Sequence, residues 1–158
     1  MFPSYFLIHV CNKSFSMERG GIHGSSFVVM FCDEPHKRLS TLEKGDWVVS
    51  TDLDGNHVRG VVACVVKTVP TKPFLTYDVH YAGTQMIRHE LDGFPWSAYR
   101  DFNHESVVLS TDPMYSVILE GDVIGIMVNP TPNPIMCATL NSADWSSHPF
   151  YNSGLIEI

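Results

Sequence analysis

The sequence predicts an all-β domain, a curled horseshoe-like sheet built from long bent strands and hairpins. Three observations carry that expectation. Seven short segments are rich in Val, Ile, Phe and Tyr: 26–31, 46–52, 58–69, 74–81, 106–112, 115–121 and 123–129. Turn-forming runs separate them, among them "DLDGN", "PTKP", "YAGT", "STDP", "EGD" and "NPTPNP". No window of about a dozen residues sustains apolar recurrence at helical spacing.

Taken in order, "SFVVMF" (26–31) follows a glycine- and serine-rich entry, "GGIHGSS". The best helical signal, "LSTLEKG" (39–45), is long enough for a single turn. "DWVVSTD" and "VRGVVACVVKTV" flank "DLDGN", whose Asp-Gly pair suits the positive-φ positions of a tight hairpin. The second of these strands is long for a flat sheet, and Gly60 inside it suits a bulge or bend. "FLTYDVHY" (74–81) reads as one strand, and the three segments after residue 105 as a meander. No repeat of 20–50 residues is visible.

With 158 residues the chain suits one domain with a sizeable core. Hydrophobic residues make up 44% and charged residues 17%, a globular composition. The net charge of −7 and the scattered basic residues argue against a nucleic-acid surface. No apolar run reaches membrane-spanning length, so no membrane partner is expected. The start, "MFPSYFLIHV", lacks the basic region and small-residue cleavage site of a secretory signal. With thiols read as reduced, the expected location is cytoplasmic. Residues 1–20 differ in character from the rest and are read as a flanking leader, with the domain proper at 21–158.

Cys11, Cys32, Cys64 and Cys137 form no C-x-x-C pair, which argues against a zinc ribbon. Buried or reduced thiols are the leading reading; two disulfides are the alternative. "GGIHGSS" is not a phosphate loop, because no lysine and no helix follow it. Nor does its "HG-S" sit in the strand–turn–helix setting of a nucleophile elbow. Ser25 and Ser26 are therefore read as turn and strand-entry residues. No paired-carboxylate or His-x-His spacing supports a metal-dependent hydrolase, and neither a cofactor nor a metal is expected.

"HKRLSTLEKGDWVVSTDLDG" (36–55) resembles the opening of a Hint domain, the self-processing fold of inteins and the hedgehog autoprocessing domain. There Leu39 and Leu42 would pin a short turn to the core, and Gly45-Asp46 would lead into the next strand. "VVACVVKT" (61–68), "MIRHELDGFPW" (86–96), "YSVILEGDVIGIMVN" (115–129), "CATL" and "SSHPFYN" follow in the order of the Vint subgroup, the Hint domains found with von Willebrand A modules. The ordered motifs cover about residues 21–158.

The resemblance implies a Cys or Ser at the first position that attacks the preceding carbonyl, turning an amide into a thioester or ester. It also implies a histidine facing that amide, preceded by a threonine three residues earlier. His89 matches the histidine, but Met86 stands three residues before it. Thr84 lies one pleat from Met86 on the same strand face. The nucleophile position falls on Gly21, or on Ile22 with a one-residue shift, and neither has an attacking atom. Cys11 opens "CNKSFSM" but lies too far upstream, and Cys32 falls in an inserted loop. His148 matches the closing histidine in "SHPFYN"; without an adjacent His-Asn pair, complete splicing with ligation is not expected. Cys64 and Cys137 match subgroup cysteines and are read as core packing, with a zinc site shared with His89 or His148 as the lesser alternative.

Two functions follow from the resemblance. One is an autoproteolytic, intein-like scaffold that acts on its own flanking polypeptide and has lost its nucleophile. The other is a non-catalytic β-rich interaction module that kept the fold, with Trp96, Trp145, Phe150 and Tyr151 as exposed aromatics for a protein partner.

Overall fold

The structure is a computed structural model that describes residues 5–10, 21–31, 33–52, 54–70, 72–83, 85–89, 96–101, 105–128 and 135–139, with residues 5–10 and 89 described by their backbone. In chain order the strands are β1 (Tyr5–Val10), β2 (Ile22–His23), β3 (Phe27–Val28), β4 (Lys37–Arg38), β5 (Trp47–Thr51), β6 (His57–Pro70) and β7 (Phe74–Tyr77). There follow β8 (Tyr81–Ala82), β9 (Met86–His89), β10 (Ser97–Ala98), β11 (Val107–Ser110), β12 (Met114–Leu119), β13 (Gly125–Val128) and β14 (Ile135–Ala138). Two short 3-10 turns, Leu39–Thr41 and Tyr99–Asp101, complete the regular structure of the described residues. No helix among the described residues is long and apolar enough to cross a membrane.

β6 is the spine. Its first half pairs antiparallel with β5, from Thr51↔His57 to Trp47↔Val61. Its second half pairs antiparallel with β12, and in parallel with β1 of the segment read as a leader. Val62–Val66 are buried without a break, because both faces of this stretch are covered. From β12 the sheet continues through β2, β8 and β7 to β11 at its edge. A second sheet runs β10-β9-β14-β13-β3-β4.

β5 joins the two sheets. Met30 bridges Val48, the Val49 amide donates to the Val29 carbonyl, and the Ile124 amide donates to the Thr51 carbonyl. The Ser50 hydroxyl also donates to the Gly125 carbonyl. The strands therefore curl around one core that includes Val28, Leu39, Val48, Val62, Ile87, Ile126 and Val128. Each such side chain contributes about 1.5–3 kcal/mol by leaving water. Leu39 and Leu42 do pin the short turn to this core, being 0% and 3% exposed. Lys37 Nζ meets Asp46 Oδ2 at 2.9 Å across the same turn.

Three details differ from the sequence reading. The hairpin between β5 and β6 has five loop residues, organised by Asp52, whose Oδ1 accepts from the Asp54 and Asn56 amides at 2.9 Å each. Those bonds, the one from Asn56 foremost, hold the Asp52 carboxyl below its ordinary range. Gly60 is not the bulge. The register slips at Ala63, between Ile118↔Cys64 and Leu119↔Val62. Gly60 answers a close approach instead, since a Cβ there would lie 2.9 Å from Ser50 Cβ.

The third difference is in 74–81, which splits into β7 and β8. Asp78 and Val79 take φ of +53° and +69°, so the strand breaks between them and His80. A left-handed valine is strained, and Asp78 supplies the compensation. Its Oδ1 accepts from the Glu105 and Ser106 amides, and its Oδ2 accepts from the Tyr99 hydroxyl.

Candidate functional site

Gly21 immediately precedes β2, which lies between β12 and β8. Its carbonyl accepts from the Ala82 amide at 3.0 Å, and its own amide donates to Gln85 Oε1 at 2.9 Å. Gln85 is 4% exposed, and its Nε2 donates to the Met86 and Ala138 carbonyls at 3.0 Å each. Those two donor bonds fix the orientation of the side-chain amide, because the flipped form would set Nε2 against the Gly21 N–H. One glutamine thus ties the start of β2 to the start of β9 and the end of β14.

The Gly21 backbone disfavours any other residue. Its φ is +153°, and a Cβ would lie 3.1 Å from Met114 Cβ on the facing strand. A side chain there strains the backbone and presses on β12 at once. The position where the resemblance puts a nucleophile is therefore built around a glycine.

Chemically, the Gln85 contact polarises without protonating. An acyl shift needs a proton delivered to the departing amide nitrogen. Gln85 presents an acceptor oxygen to that N–H, and a primary amide does not titrate near neutral pH. The contact orients the amide plane and excludes water; it supplies no acid.

The other residues named from the sequence fall as follows. His89 ends β9, its backbone opposite Ile135 in the second sheet, and its side chain lies outside the described residues. Met86 is 39% exposed, and Ile22 is buried in the core. Thr84, His148, Cys11, Cys32, Trp145, Phe150 and Tyr151 lie outside the described residues. Trp96 is half-buried, with the Arg88 guanidinium 5.5 Å from its ring centroid. Cys64 and Cys137 are buried thiols, and burial pushes the Cys137 thiol far above its ordinary range. No group of His, Cys, Asp and Glu among the described residues is arranged to hold a metal ion.

Sequence reasoning missed Gln85. The signal was adjacency alone, since it sits between Thr84 and Met86, the two positions weighed as partners of His89. It also missed a cluster at the entry loop. His23 Nδ1 lies 2.7 Å from Ser25 Oγ, and His23 Nε2 lies 3.0 Å from Asp112 Oδ2. Ser26 Oγ lies 2.9 Å from His80 Nδ1.

No protein-family model matches this sequence, and no curated protein matches it. Solved structures do. The DnaB intein from Synechocystis sp. PCC 6803 superposes with a TM-score of 0.57 at 13% identity, covering 76% of this chain and 99% of that one. A variant of the Ssp DnaB mini-intein gives 0.58 at 14%, covering 77% and 96%. The bacterial intein-like domain from Clostridium thermocellum gives 0.54 at 11%, covering 75% and 98%. Similarity of this kind, over nearly the whole of each intein and at such low identity, lies in the backbone path: the chain has the all-β Hint fold of the inteins.

Proposed function

We propose that this chain is a Hint-type self-processing scaffold of the Vint kind, degenerate at its first position, that grips the junction before residue 21 without cutting it. The observation that carries this reading is the Gly21 amide, buried and bound by Gln85 Oε1 at 2.9 Å at the residue where the resemblance expects the nucleophile. The substrate is the chain's own flanking polypeptide. The order of the motifs over 21–158 supports the Vint assignment.

The alternative, a β-rich interaction module, is favoured by one observation. Val107, Val108 and Leu109 on the edge strand β11 are 42%, 43% and 69% exposed.

Intact mass over time, with and without an added thiol, separates the two. The unaltered chain is expected to stay whole. Gly21→Cys, in protein that keeps its native circular dichroism, is expected to acquire thiol-dependent cleavage before residue 21. Cleavage of the unaltered chain at that bond would sink the degenerate reading. A folded Gly21→Cys variant that never cleaves would leave the interaction module.

A further inference from the structure

The geometry points to a second, independent site: Ser25 is an activated nucleophile, with His23 as its base and Asp112 as the residue that positions the base, suited to acyl transfer from activated esters. Nothing in the Hint resemblance assigns these three residues to the scissile junction.

The hydrogen-bond pattern defines the tautomer. The Ser25 amide donates to His23 Nδ1 at 3.1 Å, so that nitrogen carries the lone pair. The ring proton is then on Nε2, which faces Asp112 Oδ2 at 3.0 Å. Ser25 Oγ, 2.7 Å from the same Nδ1, donates its hydroxyl proton to that one lone pair and shares it with the longer bond from the amide. Nucleophile, base and carboxylate are thus in hydrogen-bond reach of one another in the required order, with the two ring nitrogens in the reverse of their commonest roles.

Three separate segments build the cluster. His23 and Ser25 come from β2 and the turn after it, and Asp112 from the turn between β11 and β12. The third segment is the strained turn between β7 and β8. There Val79, left-handed at φ +69°, turns the chain so that the His80 carbonyl accepts the His23 amide at 2.7 Å. His80 Nδ1 also meets Ser26 Oγ, and Ser26 is fully buried. Strain of this kind, held in place by the Asp78 network, is characteristic of positions where a side chain must be aimed. Burial, and to a lesser degree the neighbouring His23, holds His80 below its ordinary value and so neutral. A neutral His80 places no second positive charge beside His23.

Exposure sets the substrate class. The His23 side chain is 21% exposed and that of Asp112 is 65% exposed. A carboxylate so open to water strengthens its partner only modestly. The leaving group must then depart with little help, as an aryloxide does. In the reaction, Ser25 Oγ bonds to the ester carbonyl carbon while its proton passes to His23 Nδ1. Collapse breaks the carbon–oxygen bond to the leaving group, which departs as the aryloxide, and Nδ1 gives its proton up to water. Water, deprotonated by the same nitrogen, then bonds to the acyl carbon, and the bond to Ser25 Oγ breaks as Oγ takes that proton back.

An alkyl fluorophosphonate tests the site in the whole, unaltered chain, since Ser25 Oγ would bond to phosphorus as fluoride leaves and His23 takes the proton. The expected result is a single adduct, mapped by peptide mass to Ser25 and absent from Ser25→Ala. Asp112→Asn, at an exposed position that leaves the core untouched, should label about two- to fivefold more slowly, in keeping with an exposed partner, and Asp112→Glu should restore most of the rate. No adduct on Ser25 in natively folded protein would overturn the proposal. So would equal labelling rates for Asp112→Asn and the unaltered chain. Neither result bears on cleavage before residue 21, so the two readings stand or fall separately.

Discussion

The Tyr99 hydroxyl donates to Asp78 Oδ2 at 2.6 Å, and through that bond the 3-10 turn at Tyr99–Asp101 restrains two consecutive left-handed residues, Asp78 and Val79. Burial, reinforced by the carboxylate, pushes the Tyr99 phenol far above its ordinary range, so it stays a donor. Its ring stacks on Tyr81 at 4.3 Å, which keeps the hydroxyl aimed. Tyr99→Phe retains the stack and loses the bond. A loss of about 1.5–3 kcal/mol is expected, the usual worth of a hydrogen bond to a charged group. Urea unfolding, with an unchanged m-value, is the measurement.

Val79 is the counterpart test. A left-handed valine costs about 1–2 kcal/mol, and glycine gives back about 0.5–1 kcal/mol through its looser unfolded chain. Val79 is 51% exposed and forfeits little packing. Val79→Gly should therefore be neutral or stabilising by up to about 1 kcal/mol, read as a rise in melting temperature. A clear loss of stability would mean that the strain is not carried at this residue.

His80 makes stability depend on pH. Burial lowers its folded-state value below the ordinary 6.5, so the unfolded chain takes up the proton first. The unfolded state then binds more protons, and stability rises with pH through this window. Its contribution is whole above about pH 6.5 and is lost as the pH falls from there toward the folded value. Unfolding midpoints measured from pH 7.5 down to 5 should fall, and His80→Gln should flatten that limb.

At Gln85 the prediction concerns a single amide. Gln85→Leu leaves the Gly21 N–H buried without its acceptor, at a cost of about 1–3 kcal/mol. Hydrogen exchange at Gly21 should accelerate by more than at neighbouring β2 amides. Unchanged protection there would show that the contact does not hold the junction.

The strand inventory was legible because its signals are local. Valine-rich runs and the turns between them gave β5, β6, β12 and β13 nearly to the residue. The short turn at Leu39 was equally visible, since two leucines three apart need the core. Two-residue strands such as β2, β4 and β10 left no pattern to read, and the split at Asp78 depends on Tyr99, Glu105 and Ser106, residues distant in sequence. The site divided in the same way. Gly21 drew attention because a missing side chain is conspicuous at a motif's first position. Gln85 and the pairing of His23 with Asp112 were not, for their meaning lies in contacts across 64 and 89 residues.

The tight fit of Gly21 against Met114 limits the substitutions open to this chain. Met114 is itself buried, and the offending atom is its Cβ, which every residue but glycine possesses. Trimming Met114 to alanine would relieve nothing. A cysteine or serine at position 21 therefore carries about 1–3 kcal/mol of backbone strain. Marginal stability makes such a strain a large one. Strands closed on a glycine in this way oppose any side chain at position 21, a nucleophile's included.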